Sequence, residues 1–598
     1  MVLSDRAAVA IAVGVAIGAW WSPRLPTVVV AGVLAAVLVL RRPWTVVLAA
    51  AVLAAWLGQR AEQAADAPLR QGAFAGEVTL VGDPSETSGA VRVEVRANGR
   101  RVDAWARGAA AAAVRPRLAG ERLSIRGRLE ADVPSWLRHR HVVGRLTIDE
   151  VLDVRDGDPA SRLANGFRRV LQRGAEGIPP EQRALFTGFV FGDDRGQSPA
   201  VADDFRASGL THLLAVSGQN VAFVLVVASP LLTRLPLGGR LAVTFVLLGL
   251  FALVTRFEPS VLRATVMAAL AVTASTVGRP VSALRLLAVA VTVLVLVDPF
   301  LVHSLGFALS VGASAGIVLL ARPIATVLPG PAVIRDALAV TVAAQLGVAP
   351  VLVPVFGGVP VASIPANLLA EPVAGLVMMW GLTAGFVAGL LADPVSALLH
   401  LPTRLGLGWV AAVARAARDV PLGELDLPLI GLAAAAGAIA GLARRRGRTT
   451  LAILAGVAVL VVMLVPSLRL RESPPVRAEL AGVGELWQVP AAGGRVAVLR
   501  IDPDASPGRA LEAVRRAGVR ELDLLVVPSG GSQASRLVSE LGRRVRLSQI
   551  WAPDGHRVPG ALVPRPGVVM APGGLRLEVR SVRPRLDVVV AVDPQSPR

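Results

Sequence analysis

Apolar runs of fifteen or more residues recur along this 598-residue chain. A helix that is apolar on every face has to be hidden on every face, and repeated helices of that kind point to a bilayer rather than a globular core. The runs fall near 7–21, 26–40 and 44–58, then 210–232, 238–254, 259–277, 282–297, 301–320, 333–353, 427–443 and 449–465. They predict a polytopic α-helical membrane protein of about eleven spans, with N-terminal membrane helices at 1–60 and a main membrane region at 161–465. From 361 to 391 the apolar run carries Pro365, Asn367 and Pro372, which predicts a hairpin or a broken helix.

The residues between these regions have a different period. Glu77–Asp83, Val91–Ala106 and Glu121–Leu129 alternate apolar with polar, and turn signals stand at Asn98-Gly99 and Gly120. That is a strand pattern, and about five short strands within 66–158 suit a small barrel of the oligonucleotide-binding type. An amphipathic connector, 161–177, carries Arg168, Arg169 and Arg173. The last region, 474–598, is rich in Pro, Gly and Arg and reads as α/β.

Charge supplies an orientation. The chain has no Lys, so its net +19 is arginine charge, compatible with a polyanion but also with the arginines that cytoplasmic loops collect. With Arg6 inside, Arg24 falls outside and Arg41-Arg42 inside. The later groups Arg234/Arg240, Arg279/Arg285, Arg322/Arg335 and the run Arg444, Arg445, Arg446 and Arg448 fall inside if 210–232 runs inward. Both soluble domains are then outside the cytoplasmic membrane. Zero Cys excludes disulfides, thiolate metal sites and thiol catalysis. Zero Lys excludes a G-x-x-x-x-G-K-[ST] nucleotide loop, so any transport energy comes from a gradient or another protein. No cofactor is expected.

The polar groups at membrane depth are the functional candidates, since each is costly there unless paired or hydrated. FRASGLTHLLAVSGQNVAFVL sets His212, Ser217, Gln219 and Asn220 at the mouth of an apolar segment. A base beside a serine could make a nucleophile, but AVSGQ is not G-x-S-x-G, and Ser-Gly in a membrane helix also serves close packing. Arg263 lies within 259–277. It either snorkels or pairs with Glu258, or faces an aqueous path and contacts phosphate. Asn367 and Glu371 either line a cavity at the interrupted segment or cap helix ends, and Asp193 and Asp194 read as turn residues.

Together with LFTGFVFGDDRGQSPAVADD, this stretch resembles the signature of the ComEC competence proteins, the membrane channels through which transformable bacteria take up single-stranded DNA. The matching positions are Gly192, Asp193, Arg195, Gly209, His212–Ser217 and Gly218, with Asn220 where many members have His. Pro259–Leu270, Asp298-Pro299, Leu305–Leu320 and Ala343–Gly375 resemble further segments in the family's order. The resemblance implies a DNA channel, and the polar residues His212, Ser217, Asn220, Arg263, Asn367 and Glu371 are the ones expected on its path. The implied partners are single-stranded DNA, an outer DNA-receptor protein and a cytoplasmic ATPase, with a possible homo-oligomer. Many members end in a metallo-β-lactamase-like domain with a His-x-His-x-Asp-His cluster after a strand. Here the strand Leu522–Val527 is followed by PSGGSQASRLVSEL, and 474–598 holds only His556, so no hydrolase is expected. A secondary transporter of a small solute and, less favoured, an intramembrane hydrolase are the alternatives.

Overall fold

The computed structural model describes residues 4–592 apart from 41, 88, 280, 470–475, 492, 493, 572 and 573. The chain divides into two compact units, one of residues 1–196 and 208–464, the other of 197–207 and 465–598.

In the first unit, α1 (Asp5–Trp21), α2 (Thr27–Leu40) and α3 (Pro43–Asp66) precede a β domain. Its strands are β1 (Gly72–Leu80), β2 (Ser85–Thr87), β3 (Ala90–Ala97), β4 (Arg100–Ala106), β5 (Arg122–Glu130) and β6 (Val142–Arg155), with α4 (Gly108–Val114) between β4 and β5 and α5 (Ser135–Arg138) before β6. The strand order is β1-β5-β6-β4-β3-β2, and β1 also pairs β3, so five strands pair in a ring. The β4–β6 pairing is parallel and the others antiparallel. Asn98 and Gly99 have φ of 49° and 78° and join β3 to β4 as a two-residue turn, the geometry that an Asn-Gly pair accommodates at little cost. Alternate residues such as Val91, Val93, Val95, Ile125 and Leu146 fill the interior.

The membrane region follows: α6 (Pro159–Gly174), α7 (Pro180–Phe191), α9 (Gly218–Leu232), α10 (Leu237–Val254), α11 (Pro259–Thr276), α12 (Ala283–Val297), α13 (Leu305–Gly316), α14 (Arg322–Ala325), α15 (Ala332–Phe356), α16 (Ser363–Ala388), α17 (Val395–Leu399), α18 (Leu401–Asp419), α19 (Leu427–Arg445) and α20 (Thr449–Arg469), while α8 (Pro199–Ala207) belongs to the other unit. The short strands β7 (Val359–Pro360) and β8 (Glu424–Leu425) pair antiparallel.

Two expectations change here. Among the described residues seven helices, not eleven, are long and apolar enough to cross a bilayer: 44–66, 237–254, 305–325, 332–356, 363–388, 427–445 and 449–468. The runs at 26–40, 210–232 and 282–297 form helices of only 14, 15 and 15 residues, about 22 Å at 1.5 Å per residue against a hydrocarbon core of about 30 Å. Second, the interrupted segment is neither hairpin nor broken: α16 is one continuous 26-residue helix. Pro365 stands in its first turn, where the missing N–H has no intrahelical acceptor, and only Pro372 lies inside.

Small residues set the helix crossings. A Cβ on Gly316 would meet the Ala343 carbonyl oxygen at 2.2 Å, and one on Gly347 the Gly312 oxygen at 2.2 Å, so α13 and α15 touch backbone to backbone.

In the second unit, β9 (Arg477–Leu480), β10 (Gly484–Ala491), β11 (Gly494–Ile501), β12 (Glu521–Leu522), β13 (Leu524–Val526), β14 (Arg546–Leu547), β15 (Ile550–Trp551), β16 (Gly567–Ala571), β17 (Leu575–Ser581) and β18 (Asp587–Val592) alternate with α21 (Pro507–Arg516) and α22 (Ser532–Gly542). The main sheet has the order β15-β13-β11-β10-β9. Leu486, Leu499 and Leu525 face α21 and α22 on one side; Trp487, Val498 and Val526 face Leu577, Val579 and Val588 of the β17–β18 sheet on the other. The expected strand at Leu522–Val527 is present as β12 and β13.

Candidate functional site

The polar turn after α7 is a structural hub. Gly192 caps α7 with φ +76°, its N–H donating to the Gly188 and Thr187 carbonyls. Asp193, buried, accepts a forked pair from Arg195, from Nε at 2.7 Å and from Nη2 at 2.6 Å, and its own carbonyl accepts from the Thr187 hydroxyl at 2.9 Å. Gln172 of α6 donates to the same carboxylate at 3.2 Å, and Arg168 stands 3.3 Å from it. Asp193, read from the sequence as a turn residue, is therefore also a buried member of an ion-pair network.

Arg168 is 1 % exposed and donates to the Phe191 and Val254 carbonyls at 3.2 and 2.8 Å and to Asp83 of the β domain at 2.7 Å. Arg256 donates to both oxygens of Asp83 at 2.9 and 3.2 Å and to Asn165 at 2.9 Å. Asn165 in turn donates to the Ala119 carbonyl at 3.0 Å. Burial opposes the Asp83 charge, but Arg168 and Arg256 outweigh it and hold the carboxyl at about 2. Burial draws Arg168 down to about 10, with Asp83 opposing. For Asp193 too, burial is outweighed by the Arg195 fork and Arg168, and its carboxyl is held low; the carboxyl of Asp194 is pushed up by partial desolvation and by the neighbouring Asp193 charge. This network binds α6, the β domain and the α10–α11 turn. Sequence reasoning named Arg168 only as part of a basic connector and missed Asp83, Asn165 and Arg256; a lone Arg between VT and FEP after an apolar run was the available signal.

The second half of the signature is folded by its glycines. Gly209 has φ +71°, and a Cβ there would lie 2.4 Å from Ser363 Cβ at the start of α16. His212 sits exposed on a single 3-10 turn, Thr211–Leu213. Ser217 is the N-cap of α9, its hydroxyl accepting from the Gln219 N–H at 3.2 Å. That gives Ser217 a helix-capping task without any chemistry. Asn220 is fully buried and donates to the Phe189 carbonyl at 2.9 Å, which fastens α9 to α7.

Arg263 meets the same helix start. A Cβ on Gly218 would lie 2.8 Å from Arg263 Nη2, so the guanidinium lies close against the start of α9. Its Nε donates to the Ser310 hydroxyl at 2.9 Å and its Nη1 to the Met267 sulfur at 3.1 Å. Among the described residues no carboxylate, Glu258 included, forms an ion pair with it.

Asn367 and Glu371 line a cavity of about 520 Å³ among α9, α15 and α16, with Gln219, Phe223, Asp336, Thr341 and Met379. Asn367 is buried and donates to the Ser363 carbonyl at 2.7 Å. Arg263 does not line this cavity; Gln219 does, one residue after the Gly218 that Arg263 touches. His212 and Ser217 are not among the lining residues. Among the described residues no three His, Asp or Glu side chains converge as metal ligands.

Over residues 189–446 the chain matches the family model described as Competence protein. It is similar to the ComE operon protein 3 of Bacillus subtilis (strain 168), at 26% identity over 235 residues that make up 39% of this chain and 30% of that protein. The chain thus spans under a third of that relative's length. No solved structure matches. The segment 189–446, which holds the glycine-capped turn and the Ser-capped α9, is thus what this chain has in common with the Competence protein family.

Proposed function

We propose that this chain forms a passage for single-stranded DNA across the bacterial cytoplasmic membrane during natural transformation. The observation that carries the reading is Arg263: a guanidinium in an apolar helix, held by a hydroxyl and a sulfur rather than a carboxylate, against the amide-bearing start of α9. A cation without a counter-charge and a helix N-terminus both favour phosphate. A strand with one phosphate per nucleotide needs a hydrated, weakly attractive lining, because tight binding at one point stalls conduction. On this reading His212 and Ser217 stand at the mouth, and Asn220 holds α9 in place. Asn367 and Glu371 border the adjoining cavity.

The β domain is an oligonucleotide-binding-type module outside the membrane, a reading supported by the ring of five paired strands with α4 between β4 and β5. The C-terminal unit lies on the same side and performs no metal hydrolysis. An outer DNA-receptor protein and a cytoplasmic ATPase are the expected partners.

Arg263→Leu should abolish entry of labelled DNA into the protected compartment, with surface binding and protein abundance unchanged. Arg263→Lys should retain part of it, since an ammonium keeps the point charge but loses the fork. Normal uptake by Arg263→Leu would sink the reading. One observation favours a second: the cavity at α16 carries Glu371 and Asp336 and no arginine, which suits a small cationic solute. If that transport is the function, Glu371→Gln abolishes it and Arg263→Leu leaves DNA uptake untouched.

A further inference from the structure

The cavity among α9, α15 and α16 is one-sided in its charge. Gln219, Asp336, Thr341, Asn367 and Glu371 supply its polar lining, and no Arg or His stands among the lining residues. Charge of one sign at membrane depth calls for a partner of the other.

The hydrogen bonds of the lining decide which end of each group is left over. Asn367, 6 % exposed, gives its amide nitrogen to the Ser363 carbonyl at 2.7 Å. A carbonyl can only accept, so the amide oxygen of Asn367 is the free end, and among the described residues nothing donates to it. Thr341, also buried, donates its hydroxyl hydrogen to the Ala337 carbonyl at 3.0 Å, which leaves its oxygen with lone pairs only. Glu371 lies one turn beyond Asn367 on the same face of α16. Among the described residues it has neither an ion pair nor a hydrogen bond. Asp336 differs, because Arg335 stands 2.9 Å away and answers its charge. The cavity therefore presents two neutral oxygens beside one unanswered carboxylate.

We propose that this cavity binds a monovalent metal cation of the sodium class, with Glu371 as its counter-charge and Asn367 and Thr341 as neutral oxygen ligands. Hard cations take oxygen ligands, and sodium sites between membrane helices are built from such groups. One carboxylate answers one positive charge. A divalent ion would keep an excess charge at membrane depth, where an uncompensated charge is costly. At about 520 Å³ the cavity exceeds a bare ion, so the cation keeps part of its water. The inference goes beyond the passage proposed above and does not depend on it, since Arg263 does not line this cavity.

The test is equilibrium binding of radioactive sodium to the full-length chain, purified in detergent and held in sodium-free buffer at neutral pH. About one ion per chain should bind saturably, displaced by unlabelled sodium but not by equal concentrations of choline or calcium. Glu371→Gln, nearly the same shape without the charge, should lose the binding. Thr341→Val should weaken it about tenfold, the scale of removing one polar partner from a buried site. A native chain without saturable binding overturns the proposal, and so does binding that survives Glu371→Gln, because the ion then sits elsewhere. Displacement by choline would make the ligand an organic ammonium, and displacement by calcium a divalent ion; either result counts against it. Should Glu371→Gln fail to fold, undiminished binding by Thr341→Val is decisive against it. Because the readout is ion binding, this test and the DNA-uptake test of Arg263 fail separately.

Discussion

At the scale of single residues, the side chains that matter most are those whose charge is answered inside the fold. Asp83 has a carboxyl held at about 2 instead of 3.8, so its ionised form stabilises the native state above pH about 4, and that contribution is lost as the pH falls towards about 2. Thermal unfolding followed from pH 6 to 2.5 should show this acid-side loss, and Asp83→Asn should flatten it. The same substitution leaves Arg168, 1 % exposed, with Asp193 alone as counter-charge, and should cost about 3–5 kcal/mol at neutral pH. Gly209→Ala should be destabilising by about 1–2 kcal/mol for the left-handed backbone alone, with more for the close approach to Ser363 Cβ at 2.4 Å. Yields of folded protein in detergent read it directly.

Among the elements, two arrangements make opposite predictions about substitution. α13 and α15 cross on Gly312, Gly316 and Gly347, so Gly316→Leu or Gly347→Leu must force the helices apart and should lower the melting temperature in detergent by several degrees. Gly249→Ala, with nothing within 4 Å of the added Cβ, should be silent or slightly stabilising. α16 is continuous through Pro372, and a proline inside a helix removes one donor and crowds the preceding turn. Pro372→Ala should therefore keep the fold with equal or higher thermal stability. Loss of the folded protein in that variant would mean that a break at Pro372 is needed after all.

For the molecule as a whole, the absence of native cysteine makes sidedness testable. Single cysteines at Asp132 and at Gly508, where an added Cβ meets nothing within 4 Å, should react in intact cells with an impermeant maleimide. One at Arg446, beside the arginines that end α19, should not. Labelling at Arg446→Cys or protection of the other two reverses the orientation. The C-terminal unit should bind no stoichiometric zinc or manganese and cut no DNA; elemental analysis of the purified chain at about one metal per molecule, with metal-dependent cleavage, would falsify this.

Patterns that repeat over neighbouring residues were legible in the sequence. Uniform apolar runs fixed the membrane class, period-2 alternation marked the β domain, and Asn98-Gly99 marked its turn, because hydrophobic periodicity and turn conformations are local properties of the chain. The signature Gly192–Gly218 was legible for the same reason, being nearly contiguous. Tertiary structure alone decided what depends on residues far apart. Pro365 and Pro372 read locally as a break, yet packing of α16 kept it whole. Arg168 became the centre of a network only when Asp83, Asp193 and the Val254 carbonyl closed around it. Asp203 and Asp204 acquired partners more than 300 positions away. No local pattern encodes such pairs, since a buried charge is acceptable only once the whole chain has delivered its counter-charge.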